Sequence, residues 1–233
     1  MKKRIAALVL CLALVFALAA CGSGGGGNLT FGTGGETGTY YAFGGVLAQY
    51  VTSNTDTSVT AVSSKGSQAN IEDIDANAIQ LGFVQSDVMD YAYNGTRLFV
   101  DKDTGESAPV TNFSTVAALY MEQVQIVTLD PNIKTVADLE GKNVSIGANG
   151  SGVYFNALDI LGAYDLTEED ITPQYQDFAT SVDSLKDGKI DAAFIVAGAP
   201  TTAVVDLASG NDIYLVSLDQ EHIDALIETS PYY

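Results

Sequence analysis

Ser145-Ile146-Gly147-Ala148-Asn149-Gly150-Ser151-Gly152-Val153 opens as a strand, turns through glycines and runs on as a helical pattern to Leu161. This strand-to-helix step is the repeating unit of an α/β protein. Parallel strands cannot be joined by a tight hairpin, and the crossover of a dozen or more residues that they need is usually a helix. The glycines have two readings. They allow a tight turn, or they let the backbone approach a ligand at a helix N-terminus, where free N–H groups and a dipole of roughly half a positive charge favour a phosphate or carboxylate.

Working outward, the same alternation recurs. Leu29 to Gly32 reads as a strand, and Phe43, Val46, Leu47, Tyr50 and Val51 then fall at i, i+3, i+4, i+7 and i+8, one apolar helix face. Val59 to Val62 and Leu81 to Val84 read as strands, each followed by a short helix, at Ala69 to Ala76 and Asp87 to Tyr93. Asn94 to Asn112 is polar and turn-rich, a solvent loop. Thr115 to Tyr120 and Val124 to Thr128 read as two strands around Met121-Glu122-Gln123, the candidate domain boundary. Beyond Val144 to Gly147 come strands at Thr172 to Gln176, Ala192 to Val196 and Ile213 to Ser217. Helices are expected near Ser181 to Asp187, Thr201 to Ser209 and Gln220 to Thr229.

The N-terminal stretch has a different character. Lys2, Lys3 and Arg4 precede an apolar run from Ile5 to Ala17, and Leu18-Ala19-Ala20-Cys21 closes it, the anatomy of a secretory signal. The run is short for the roughly 20 residues that a bilayer span needs. Its end resembles the bacterial lipobox, which implies a diacylated Cys21 and cleavage before it; two acyl chains suffice for stable attachment. The following glycines, without side chains to pack, form a flexible tether. The expected division is residues 1–20 signal peptide, 21–28 lipid-anchored tether, 29–120 lobe I, and 121–233 hinge and lobe II. The protein is expected outside the cytoplasmic membrane as a membrane-anchored lipoprotein.

Composition narrows the partners. The formal charge is −19, with 29 acidic and 10 basic residues, and three of the basic ones lie in the leader. Nucleic acid is an unfavourable partner, because binding it requires clustered Lys and Arg. The two cysteines, Cys11 and Cys21, fall in the leader and at the acylation position, so the mature chain is expected to rely on its packed core rather than on disulfides. A single histidine, His222, leaves a transition-metal cluster or a Ser-His-Asp triad hard to assemble. No metal site, cofactor or catalytic group is expected, and the scattered carboxylates suggest no acid/base pair.

In open α/β sheets ligands bind beyond the carboxyl ends of the strands. Five loops there are rich in glycine and polar groups: Gly34 to Tyr40, Ser63 to Asn70, Gln85 to Asp87, Ala148 to Val153 and Ala197 to Pro200. The first fails the dinucleotide register, which needs glycine where Thr37 stands, and neither glycine loop has the Gly-Lys-Ser/Thr of a nucleotide-phosphate loop. Lys65 alone among the basic residues of the mature chain lies in such a loop; it pairs with a solute carboxylate or is simply solvated. Asn70, Gln85 and Ser86 offer hydrogen-bond donors or act as caps. Tyr40, Tyr41, Tyr91, Tyr93 and Tyr154 wall a pocket or pack the core.

The order of these motifs resembles the TAXI family of solute receptors for tripartite ATP-independent periplasmic (TRAP) transporters. The residues that carry the likeness are Phe31-Gly32-Thr33-Gly34-Gly35 with Gly38 and Tyr40-Tyr41, Gly44-Gly45, Leu81-Gly82-Phe83-Val84-Gln85-Ser86-Asp87 and Ala118-Leu119-Tyr120. Later come Asp138-Leu139 with Gly141-Lys142, Ser145-Ile146-Gly147, Gly150-Ser151-Gly152, and Asp187-Gly188-Lys189-Ile190-Asp191-Ala192 leading to Ala197-Gly198 and Pro200. The resemblance implies a class II periplasmic-binding-protein fold, two βα lobes joined by a hinge, which closes on a small solute and passes it to a TRAP permease. It implies a carboxylate such as glutamate or 2-oxoglutarate as cargo. The ligand residues it implies are Gly35, Thr37, Tyr40, Asn70, Gln85, Ser86, Ser151, Gly152, Val153, Ala197 and Gly198. The chain departs from the family at Lys65, where a small residue is usual, and it stops at Pro231-Tyr232-Tyr233 where members run on, so a fold truncated at the C-terminus is expected. An ABC-importer receptor shares the fold and the anchor; a lipid-anchored enzyme on acidic metabolites and a sensory subunit are the more distant alternatives.

Overall fold

The computed structural model describes residues 27–233. The leader, Cys21 and most of the glycine tether lie outside the described residues. The rest forms two α/β layers, each with its own sheet.

The first sheet has three parallel strands in the order β2-β1-β3: β1 (Asn28–Gly32), β2 (Ser58–Val62) and β3 (Leu81–Gly82). In register, Phe31 lies beside Ala61 on one strand and Leu81 on the other. The strands alternate with α1 (Thr39–Asn54), α2 (Ser67–Asp75) and α3 (Ser86–Asn94). Phe31, Ala48, Val59 and Phe83 form the buried centre, with the Phe31 and Phe83 rings stacked at 4.8 Å.

The apolar face of α1 is rotated from the one that spacing predicts. Gly44 and Ala48 are buried, whereas Val46 and Tyr50 are 62% and 67% exposed. Gly44 explains the rotation. A Cβ there would stand 2.5 Å from Thr33 Cγ2, so the helix backbone presses on the sheet along the Gly44 stripe. Phe43, Leu47 and Val51 pack beside this stripe as their spacing predicts, and only Val46 and Tyr50 are lifted away.

The second sheet has the order β6-β5-β7-β4-β8, from β4 (Gln123–Thr128), β5 (Asn143–Ser145), β6 (Thr172–Gln174), β7 (Ala192–Ala197) and β8 (Tyr214–Leu215). β5, β6 and β7 are parallel, while β4 runs against both β7 and β8. β7 is a continuous apolar run buried throughout, as a central strand covered on both faces should be. Its residues alternate between two cores. Ala192, Phe194 and Val196 face Ile126, Val144, Ile160 and Leu161, and Ala193 and Ile195 face Val182, Leu185 and Leu207. Helices α4 (Gly152–Ala163), α5 (Phe178–Lys186), α6 (Thr202–Ala208) and α7 (Gln220–Thr229) complete this layer.

The strand expected at Thr115 to Tyr120 does not form. The segment bonds to no neighbouring strand, and Val116 is 86% exposed. A short apolar run such as Val116 to Tyr120 suits a strand, yet a strand exists only where a second backbone accepts its hydrogen bonds. Tyr120 nonetheless anchors the end of the segment, edge-on to Tyr40 and Phe43 at ring distances of 6.4 and 5.9 Å. Among the described residues no helix is long and apolar enough to cross a membrane.

Candidate functional site

The strand exits of the two sheets face one another across a cleft of about 320 Å³. From the first lobe come Gly34, Gly35 and Gly38 to Tyr40 after β1, Ser64 to Ser67 after β2, and Gln85 after β3. From the second come Gly147, Ala148 and Ser151 to Val153 after β5, Tyr175 to Phe178 and Thr180 after β6, and Val196 and Ala197 at the end of β7. Each of the five loops singled out in the sequence contributes at least one residue.

Four helices begin at this cleft. The residues preceding α1 and α2 are Gly38 and Gly66, which have no side chain to cap the free N–H groups. The first residue of α2 does not help either, because Ser67 Oγ accepts from the Gln85 N–H at 3.1 Å. α4 is capped by Ser151, whose hydroxyl accepts from Tyr154 N–H at 3.3 Å, and α5 by Asp177, which accepts from Thr180 N–H at 2.8 Å. The Ala69 N–H of α2 donates to the Gly150 carbonyl at 3.0 Å; the first-turn donors that no cap takes leave a positive potential directed into the space between the lobes.

The charged side chains are few. Lys65 lies at the rim over Gly150, and among the described residues it makes no ion pair, unlike Arg97, Lys186 and Lys189. Glu122, on the crossover between the sheets, reaches the cleft and accepts from the Tyr40 hydroxyl at 3.3 Å. Burial pushes the Glu122 carboxyl up to about 7; hydrogen bonds from Gln85 and Tyr40 oppose the rise and the Asp87 carboxylate adds to it. Burial, then Glu122, raises the Tyr40 phenol well above its usual range. Tyr40 is held flat on Phe83, ring to ring at 4.8 Å.

Gln85 spans the cleft wall. Its amide nitrogen donates to Asn156 Oδ1 on α4 at 2.8 Å, and its oxygen is buried without a partner. That oxygen lies against Gly152, where a Cβ would collide with it.

Of the residues expected to hold a ligand, the cleft brings together Gly35, Tyr40, Lys65, Gln85, Ser151, Gly152, Val153 and Ala197. Thr37, Asn70, Ser86 and Gly198 stand behind it. The Asn70 amide is fully buried and donates to the carbonyls of Gly32, Thr33 and Phe83 at 3.3, 2.8 and 2.7 Å, tying together the exits of β1 and β3. Thr37 accepts the Ala203 N–H through its carbonyl, and Gly198 accepts from the Thr39 and Thr201 hydroxyls. Ser86 is exposed on the first turn of α3. Glu122 and the Tyr175 to Thr180 loop were not singled out in the sequence. Asp177 before Phe178 is a cap pattern that could have marked that loop. Nothing local marks Glu122.

Two α/β lobes with a cleft between their strand exits define the periplasmic-binding-protein fold. The chain belongs to the NMT1-like family, whose profile matches residues 31–233. Solved structures show the same fold. The alkanesulfonate-binding protein SsuA from Xanthomonas axonopodis pv. citri, bound to MOPS, is 20% identical with a TM-score of 0.51 over 82% of this chain and 60% of its own. The chain thus spans 60% of the length of that relative. An ancestral arginine-binding protein bound to arginine is 15% identical, with a TM-score of 0.55 over 87% of this chain and 91% of its own. An ABC uptake transporter substrate-binding protein from Streptococcus pneumoniae with bound histidine is 17% identical, with a TM-score of 0.54 over 88% of this chain and 85% of its own.

Proposed function

We propose that this protein is an extracytoplasmic receptor, anchored through Cys21, that captures a small anionic solute between its lobes and delivers it to a membrane permease. The observation that supports this most directly is the convergence of helix N-termini and Lys65 on one small cleft. The dipoles and free N–H groups favour a carboxylate or a like anion there, and enclosure between the lobes strengthens each bond as water leaves. Gly35, Tyr40, Lys65, Gln85, Ser151, Gly152, Val153 and Ala197 contact the solute. Thr37, Asn70, Ser86 and Gly198 shape the loops that carry them. The first lobe is residues 29–120 and the second, with the hinge, 121–233. No group is assigned to turnover, and the protein is read as a receptor rather than an enzyme.

The permease is read as TRAP-type on the ordered motifs from Phe31 to Pro200. An ABC importer is the second reading, because the solved proteins of similar fold include ABC receptors. A neighbouring gene for a fused multispanning permease favours the first, and one for an ATPase the second.

The test is calorimetric titration of protein that has been unfolded, stripped of solute and refolded, against glutamate, glutamine, 2-oxoglutarate, other small dicarboxylates and an alkanesulfonate. Tight binding of one anion without turnover is expected; binding of none overturns the anionic reading. Ser151→Tyr, which fills the space at the start of α4, is expected to weaken binding at least tenfold. Unchanged affinity would move the anion elsewhere in the cleft.

A further inference from the structure

Helix α4 belongs to the second lobe by sequence and by half of its packing, since Ala157, Ile160 and Leu161 lie in the core under β5 and β7. Its opposite side is committed to the first lobe. Phe155 is 1% exposed and lies in a cluster with Ile71, Val88, Ala92 and Phe99, which come from α2, α3 and the loop after α3. Its ring is tilted against Tyr91 at 5.5 Å.

The next residue is also buried and every polar atom of its side chain is used. Asn156 Oδ1 accepts from Gln85 Nε2 at 2.8 Å, and its Nδ2 donates to Asp87 Oδ2 at 3.0 Å and to the Tyr233 hydroxyl at 2.9 Å. Asp87 is a buried carboxylate whose other oxygen accepts the Val88 N–H at 2.8 Å. An acceptor-only partner dictates which end of the Asn156 amide faces it, and so directs the Asn156 oxygen to Gln85. One turn further, Asp159 pairs with Arg97 and accepts from Tyr91.

None of Phe155, Asn156 and Asp159 lines the cleft, yet they continue the same helix whose first residues, Gly152 and Val153, do. A rigid helix transmits the docking of its second turn to its first. The contact draws on protein groups alone: the ring is buried, and the amide bonds Gln85 and Asp87 of the first lobe and Tyr233 of its own.

We propose that Phe155 and Asn156 are positioning residues that hold the two lobes closed over the cleft before any solute binds, so that the start of α4 is already set opposite Gly66 and Lys65. For its consequence on affinity the proposal rests on the receptor reading: opening the latch lowers apparent affinity by the fraction of molecules no longer closed.

The test measures the distance between the lobes in this chain without solute. Spin labels are carried on unnatural amino acids at the exposed positions Asp56 and Glu169, one in each lobe. The expected result is a single narrow distance in the unsubstituted protein, and a broadened or shifted distribution in Phe155→Ala and in Asn156→Leu. Phe155→Leu is expected to restore the narrow distance, and an unchanged far-ultraviolet circular dichroism spectrum in Phe155→Ala separates a released latch from a loss of general stability. Should Phe155→Ala fail to fold, Asn156→Leu and the milder Asp87→Asn give the same reading. A broad distribution in the unsubstituted protein, or one unmoved in the variants that fold, overturns the proposal. Because no solute is present, failure here leaves the receptor reading standing, and failure to bind any anion leaves the latch standing.

Discussion

At the scale of single residues, Glu122 is the group whose chemistry depends most on the fold around it. Its carboxyl, raised from 4.5 to about 7, faces Tyr40, Tyr120, Gln85 and Asp87. The folded protein therefore binds this proton more tightly than the unfolded chain, and stability from it grows as pH falls from about 7 towards 4.5, the reverse of an ion-paired carboxylate. The upper bound is roughly 3 kcal/mol, at 1.36 kcal/mol for each pKa unit. The melting temperature is expected to rise by several degrees from pH 7.5 to pH 5, with a smaller rise in Glu122→Gln. Equal rises in the two proteins would show that Asp87, raised to about 6 mainly by burial, and relief of net charge account for all of it. An anion in the cleft would hold the Glu122 proton more firmly still, so titration near pH 7 in buffers of different ionisation enthalpy is expected to show proton uptake on binding. Gly152 makes a second case. Gly152→Ala drives a methyl into Gln85 and breaks its bond to Asn156, with an expected loss of about 1 to 3 kcal/mol in denaturant unfolding, the cost of a buried polar group left unpaired.

At the scale of elements, α5 shows how one residue serves two ends. Asp177 caps the helix and also places a negative charge on the cleft wall. Asp177→Ala is expected to cost about 1 kcal/mol in stability while tightening an anionic solute; Asp177→Asn, which caps as well, is expected to keep stability and still tighten binding. Loss of affinity in Asp177→Asn would mean that the solute presents a donor there. The same scale explains what could be read in advance. Strands and helices declared themselves through their periods, and their exits, rich in glycine and hydroxyls, marked most of the cleft. Thr115 to Tyr120 misled because an apolar run describes a strand's side chains and says nothing of a partner backbone. Val46 and Tyr50 misled because spacing alone does not reveal which stripe a glycine brings closest to the sheet. Asn70 had the chemistry of a ligand donor, and only the meeting of β1 and β3 beside it shows that three carbonyls already take its amide. Glu122 was illegible for the opposite reason: its burial comes from Tyr40 and Gln85, which are distant in sequence.

At the scale of the whole molecule, the question is whether two lobes amount to one cooperative unit. The first has only three short strands, and its second cluster of buried side chains is completed by Phe155 from the other lobe. The second has five strands and cores on both faces of its sheet. A small sheet that borrows an aromatic ring from its neighbour should not outlast the contact that supplies it. Native-state hydrogen exchange is expected to show amides of β2 and β7 opening together, with one free energy and one denaturant dependence. Truncation of a buried Phe costs about 3 to 5 kcal/mol, and in Phe155→Ala that loss should fall unequally. β2 then exchanges through a separate, less stable opening while β7 keeps most of its protection. Equal loss at both strands would mean that the lobes are coupled through other contacts as well, such as the bonds from Ala203 to Thr37 and from Thr39 to Gly198 on the far side of the cleft. Separate openings in the unsubstituted protein would instead make each lobe an independent folding unit, with α4 merely resting on its neighbour.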